Sequence, residues 1–249
     1  VFVAATTECF GNLPIVPSLE KLVELEFASV EIAIHEGGCQ LKPSEVTADL
    51  EKAVSICRHT HRLDLVAYSV EIAAIGEEHY EQFTACCKLA QATKVVQITV
   101  PSAEIGTPFN EEVEHLRRLV AIATHAGTRV SIRSQIGRLS EDPDTVVVLC
   151  DNVPGLGVTF DPSQYICGAQ RNKNVDKLMK YTYHTHLRDT SKKQLQVRIG
   201  QGEVEYGRLI SQLRKFKYRR ALCVNITEMA EVDHPGELRK LRLLLESQI

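Results

Sequence analysis

The chain has 249 residues, 44% of them hydrophobic and 24% charged, the proportions of an ordinary soluble globular protein. Its 29 basic and 32 acidic residues leave a formal net charge of −3, without the basic surplus of a dedicated nucleic-acid binder, and no apolar stretch approaches the roughly 20 residues of a membrane span. Eight cysteines with no C-x-x-C pair, two of them adjacent at Cys86 and Cys87, argue against a zinc ribbon or a disulfide framework and fit a reducing, cytoplasmic setting.

The first run, VFVAATTECF, lacks the basic leader of a signal peptide and reads as a strand over Phe2–Thr7. Ser18 then precedes the helical pattern LEKLVELEF. Strands are predicted next at Ser29–Ile34, Leu63–Val70 and Lys94–Val100. Asn110 precedes EEVEHLRRLVAIATHAG, in which Val113, Leu116, Leu119, Val120 and Ala123 recur at helical spacing and Gly127 closes the helix. A strand at Arg129–Arg133 leads to Asp142-Pro143, which places Pro at the first position of a helix over DTVVVLCDNV. Further strands follow at Gly157–Asp161, Tyr183–Leu187 and Ala221–Thr227, and His234-Pro235 opens a final amphipathic helix ending LRKLRLLLESQ.

Strands alternating with helices indicate an α/β protein with a parallel sheet. No linker, charge block or low-complexity segment divides the chain, so one domain over residues 1–249 is expected. The first strand-to-helix turn, ECFGNLPIVPS, has no G-x-G-x-x-G fingerprint, which removes the main argument for an open dinucleotide-binding sheet. Eight strands and roughly 250 residues predict a single (β/α)8 TIM barrel.

Side chains alternate along a strand, so parity separates the helix-facing residues from those facing the barrel axis. Val130 and Ile132 face outward, leaving Ser131 and Arg133 inward. Val158 and Phe160 leave Thr159 and Asp161 inward. Tyr183, Thr185 and Leu187 leave His184 and His186, and Val224 and Ile226 leave Cys223, Asn225 and Thr227. On the second strand Val30, Ile32 and Ile34 alternate with Glu31, Ala33 and His35. Arg133, Asp161, His186 and Asn225 therefore converge near the C-terminal ends of their strands, where barrels of this type carry out their chemistry. His35 stands at the same rim, and Glu8 and Glu71 are further candidates there.

The segment HTHLRDTSKKQLQVRIGQGEVEYGRLISQLRKFKYRRALCVNIT resembles the seventh-to-eighth-strand region of the xylose isomerase-like barrels, with a His followed by x-x-Asp and then G-x-G-x-x-x-aromatic. VTFDPSQY is similar to that family's sixth-strand motif, Asp-x-x-His, with Gln164 in place of the His. The resemblance implies a sugar, sugar phosphate or sugar acid isomerase or epimerase, often a homodimer. It also implies a divalent metal (Mn, Mg or Zn) held by a Glu on strand five, an Asp on strand six, a His on strand seven and a Glu on strand eight. In such enzymes the glutamates move a proton beside a carbonyl while the metal polarises the oxygens.

Carried onto this chain, Asp161 and His186 match two ligands, whereas Arg133 and Asn225 stand where the glutamates belong. Glu228 lies three residues past Asn225, at the wrong parity. Arg presents only donors and repels a dication, so the metal set is incomplete and a site without metal is an equal expectation. We expect Arg133 to take the metal's place and pair with Asp161. His35, Gln164, His184 and Arg198 are candidate substrate-binding residues, and Gly200 and Gly202, beside Lys192, Lys193 and Arg198, form a candidate anion cradle. Two functions are consistent with this set. One is an isomerase or epimerase of a sugar-like substrate; the other is a degraded barrel that binds a sugar-like or acidic ligand, or a partner, without turnover. DNA repair of the endonuclease IV kind needs more His and carboxylate ligands than remain.

Overall fold

In a computed structural model describing residues 1–249, eight parallel strands close into a barrel in sequence order. They are β1 Phe2–Thr6, β2 Ser29–His35, β3 Asp64–Glu71, β4 Gln97–Val100, β5 Arg129–Arg133, β6 Leu156–Phe160, β7 Thr182–Leu187 and β8 Ala221–Val224. The expected fold class is the observed one. Nine α-helices surround the strands: α1 Ile15–Glu24, α2 Pro43–Ala48, α3 Leu50–Arg58, α4 Glu77–Thr93, α5 Phe109–His125, α6 Pro143–Asn152, α7 Pro162–Cys167, α8 Tyr206–Lys215 and α9 His234–Glu246. None is long and apolar enough to cross a membrane, and all eight cysteines are free thiols.

The helix-facing half of each strand makes the core. Val30, Ile32 and Ile34 of β2, Val130 and Ile132 of β5, and Val158 and Phe160 of β6 are fully buried against helix residues such as Leu19, Phe83, Leu116 and Leu149. Each such side chain contributes about 1.5–3 kcal/mol of transfer free energy. The barrel interior is unusual in being small and polar where bulky aliphatics are the rule. Gln97 donates to Ser131 at 2.6 Å, Thr99 meets Thr159 at 2.7 Å across β5, and Ser131 also bonds Thr159.

Several boundaries differ from those the sequence suggests. α1 begins at Ile15, and the Ser18 hydroxyl, inside the first turns, donates to the Pro14 carbonyl at 2.9 Å, with those of Phe10 and Leu13 at 3.3 Å. α5 begins at Phe109, so that Asn110, expected to precede the helix, lies within its first turn. Lys94, expected in β4, closes α4 in the left-handed conformation at φ 61°. β8 stops at Val224, though the Asn225 amide still bonds the Leu187 carbonyl at 2.9 Å.

The largest departure is on β7. Val158 pairs with Thr182 but Thr159 pairs with His184, so Tyr183 is an extra, bulged residue. A bulge breaks simple alternation and re-aims the residues beyond it. Tyr183, expected to face the helices, instead lays its ring over Gly157, with the guanidiniums of Arg129 and Arg220 5.7 and 5.4 Å from its centre. A Cβ at Gly157 would lie 2.2 Å from that ring, well inside contact distance. Gly157→Ala is therefore expected to destabilise the barrel by about 1–3 kcal/mol in urea unfolding, the usual cost of overpacking; an unchanged midpoint would show that Tyr183 does not occupy this position.

Candidate functional site

The rim carries a fixed cation with two anions around it. Arg133, at the end of β5, donates from Nη2 to Glu71 Oε2 at 3.0 Å and from Nη1 to Glu8 Oε1 at 3.5 Å. Glu71 ends β3. Glu8 lies in a 3-10 turn over Thr7–Phe10 directly after β1, and its amide donates to the Thr6 hydroxyl. Glu8 also accepts from Asn225 Nδ2 at 3.0 Å and stands 3.5 Å from His35 Nδ1, while His35 Nε2 meets the Ser69 hydroxyl at 3.1 Å. Five rim residues from five strand ends thus form one connected network.

The expected Arg133–Asp161 pair does not form. Asp161 caps α7 instead, accepting the Ser163 amide at 2.9 Å and its hydroxyl on Oδ1. Its Oδ2 takes Gln164 Nε2 and Arg188 Nη2, each at 3.2 Å. The physical reason is competition for both partners: Arg188, two residues past His186, holds Asp161, while Glu71 and Glu8 hold Arg133. Gln164, in the place of the motif's His, bridges Asp161 to the loop after β5 by accepting the Ile136 amide at 3.0 Å.

The anion cradle is already filled from within the chain. Asp189 Oδ2 accepts the amides of Gly200 and Gly202 at 2.8 and 3.0 Å, and a Cβ at Gly202 would lie 1.9 Å from Asp189 Oδ1. The G-x-G motif serves the shape of this loop, and exposed Arg198 lies outside the rim cleft. Glu228 is likewise exposed and meets only Asn12.

A cleft of about 440 Å³ opens above the network, lined by Glu8, His35, Arg133, Gln164, Arg188 and Asn225 among others. Four buried polar atoms of its lining residues have no hydrogen-bond partner: Arg133 Nε, Arg188 Nε, Gln40 Oε1 and Gln135 Oε1. Buried orphans of this kind are rare without a ligand or water to satisfy them.

One layer below, Glu31 reaches across the barrel from β2 to β7. Its Oε1 accepts from His186 Nε2 at 2.8 Å, and its Oε2 stands 2.8 Å from His184 Nε2 off the hydrogen-bonding direction, so that neither of those two atoms has a partner. Cys223 Sγ completes a fully buried group whose four ligand-type atoms lie within 4.8 Å of one another. Burial opposes ionisation of Glu31, but the adjoining charges of His186 and His184 outweigh it and hold the carboxyl well below its ordinary range. Burial pushes the Cys223 thiol well up and His184 down. His184, a candidate substrate residue by parity, belongs to this closed layer and not to the cleft. Parity places Glu31 inward without indicating a role for it. The sequence does carry a signal: a lone acid in the apolar run SVEIAIH needs a partner, and the two inward histidines of β7 can supply one.

The rim residues do not fit the divalent metal that the fold suggests. Both Asp161 oxygens are taken by donors, His186 Nε2 is turned down onto Glu31, and two guanidiniums stand over the position. A dication beside a guanidinium is repelled by several kcal/mol, about 4 kcal/mol per unit-charge pair at 4 Å near a protein surface.

A family model for the xylose isomerase-like TIM barrel matches residues 19–247. The chain belongs to that family. Among solved structures, a xylose isomerase-like TIM barrel protein from Mycobacterium smegmatis, in complex with magnesium, aligns at a TM-score of 0.77 and 15% identity, over 99% of this chain and 97% of that one. A xylose isomerase domain protein from Planctomyces limnophilus gives 0.73 and 16%, over 100% and 95%. A D-allulose 3-epimerase from Methylomonas sp., in complex with D-allulose, gives 0.76 and 11%, over 100% and 97%. No curated protein matches the chain in sequence. At these identities the solved structures speak for the fold alone.

Behind Glu71 a second cavity of about 180 Å³ is lined by His79, Glu112, His115 and Arg138. Burial pushes Glu112 up to about 7, against the hydrogen bond it accepts from the Ala103 amide, and pushes His115 down to about 4. A carboxyl whose folded pKa is raised binds its proton more tightly in the native state, so stability falls as pH rises from the unfolded value towards 7. Glu112→Gln is expected to remove about 2 kcal/mol of that loss between about pH 5 and about pH 8 in urea unfolding. Identical pH slopes for the two proteins would refute it.

Proposed function

We propose that the rim cleft binds a small hydroxylated carboxylate, a sugar acid or a compound like it, through Arg133 and Arg188 and without a metal at the rim. The observation that carries this is that Arg133 and Asn225 stand where the resemblance places the two rim glutamates, with Arg188 lining the same cleft. Guanidinium forks grip carboxylates with two parallel hydrogen bonds and keep their charge at any working pH. His35, Gln164 and Asn225 line the cleft and suit the hydroxyl groups of a polyol. The structural neighbour from Methylomonas sp. holds D-allulose, a neutral ketose. Three carboxylates already face the two guanidiniums, so Arg133 and Arg188 favour an acid of similar size that takes the place of Glu8 or Glu71 on the guanidinium. In this reading residues 1–249 act as one barrel domain.

A second reading adds turnover. Glu8 is a carboxylate lining the same cleft, 3.5 Å from both Arg133 and His35. An isomerase or epimerase needs a base for the proton α to a carbonyl and a positive group for the developing enediolate. Glu8 and Arg133 are the candidates for those two roles.

Calorimetric titration with an aldonic or uronic acid and with the neutral sugar of the same skeleton separates the cases. The acid should bind at least tenfold more tightly, unaffected by EDTA, and Arg133→Gln or Arg188→Gln should each weaken it about 10- to 100-fold, the worth of a hydrogen bond to a charged group. Equal affinity for the neutral sugar, or binding that requires magnesium, would contradict the proposal. For turnover, the readout is deuterium exchanged from solvent into the α position of the bound acid, present in the wild type and lost in Glu8→Gln.

A further inference from the structure

The geometry points to a structural zinc site inside the barrel, one layer beneath the rim, with Glu31, His184, His186 and Cys223 as its ligands. This site is distinct from the rim position that the family resemblance implies. It shares only His186 with it, and it does not depend on what the cleft binds.

Four observations support it. The ligand atoms come from β2, β7 and β8 and converge within 4.8 Å. A tetrahedral zinc ion with bonds of about 2.0–2.3 Å sets its ligand atoms about 3.3–3.8 Å apart, so side-chain shifts of about 1 Å complete the sphere. Glu31 Oε2 and His184 Nε2 stand 2.8 Å apart without hydrogen-bonding geometry, so neither atom is committed to a donor and both can turn to a common ion. Third, the charges balance. One carboxylate, one thiolate, two neutral imidazoles and a dication sum to zero, which a fully buried layer requires. Finally, the donors select the metal: imidazole and thiolate favour zinc over magnesium or manganese, which prefer oxygen. All four residues are at most 2% exposed, so the sphere is closed and has no open position for substrate.

Loading forms the zinc–sulfur bond as the Cys223 S–H bond breaks, and the proton leaves to solvent. The proton on His186 Nε2 moves to Nδ1, which lies 3.4 Å from the Asn225 side-chain amide; that amide turns its oxygen to His186 and gives up its hydrogen bond to Glu8 in the loaded state. With no opening to the cleft, the ion enters as the barrel forms, and it ties β2 to β7 and β8 across the axis.

The test is metal analysis of the full chain expressed in zinc-supplemented medium and purified without chelator. One zinc per chain is expected, retained in Asp161→Asn and reduced to background in Cys223→Ser. The same chain expressed with cobalt should show the thiolate-to-cobalt charge-transfer band and the intense visible bands of tetrahedral cobalt. Background zinc in the wild type overturns the proposal, and so does zinc lost in Asp161→Asn but kept in Cys223→Ser. Should Cys223→Ser fail to fold, the wild-type cobalt spectrum decides: a spectrum without the thiolate band overturns the site.

Discussion

Arg133 carries a charge that no working pH removes, and it stands where only 15% of its side chain meets solvent. A guanidinium so placed must be met by acceptors, because leaving a buried charge unpaired costs about 3–5 kcal/mol. Glu71 and Glu8 meet it, and the rest of the rim is set by their positions. Glu8, drawn towards Arg133, becomes the acceptor for Asn225 and the neighbour of His35. Asp161, no longer needed by Arg133, is taken by Arg188, Gln164 and its own helix. One residue on β5 thus puts a paired guanidinium where the family resemblance places a carboxylate ligand.

The same constraint separates the barrel into two chemical layers. The rim combines two guanidiniums with hydrogen-bonding side chains and is open to ligand. The layer beneath is closed, and its one carboxylate stands 2.8 Å from each of the two β7 histidines. In a metal-binding barrel of this family the strand-seven His belongs to the rim. Here His186 is turned down onto Glu31 at 2.8 Å, so the ligand-type residues are concentrated in the lower layer. The polar interior of Gln97, Thr99, Ser131 and Thr159 continues that layer on the opposite wall and leaves little aliphatic packing on the axis. Stability must therefore come from the helix-facing side, where the fully buried aliphatic residues lie.

Much of this is legible in the sequence, because alternation along a strand is a local property. The eight strands, the inward positions of Arg133, Asn225 and Glu31, and the placement of His35 at the rim all come from period-two patterning. The partners of those residues do not. Arg133 meets Glu71 and Glu8 from 62 and 125 residues away, and only closure of the barrel brings β3 and β1 to β5. Glu31 finds His184 and His186 because β2 and β7 face each other across the axis. Tyr183 departs from its expected side because one bulged residue on β7 breaks the parity rule. The Gly200–Gly202 loop reads as an anion cradle because its amides do bind an anion, the carboxylate of Asp189.

Displacement of the rim metal by a guanidinium is tested most directly by a crystal structure grown in excess manganese, with anomalous data collected at the manganese edge. The expected map has no anomalous peak beside Asp161, with Arg133 lying between Glu8 and Glu71. A manganese peak within bonding distance of Asp161 and His186, with the Arg133 side chain swung out of the cleft, would contradict it.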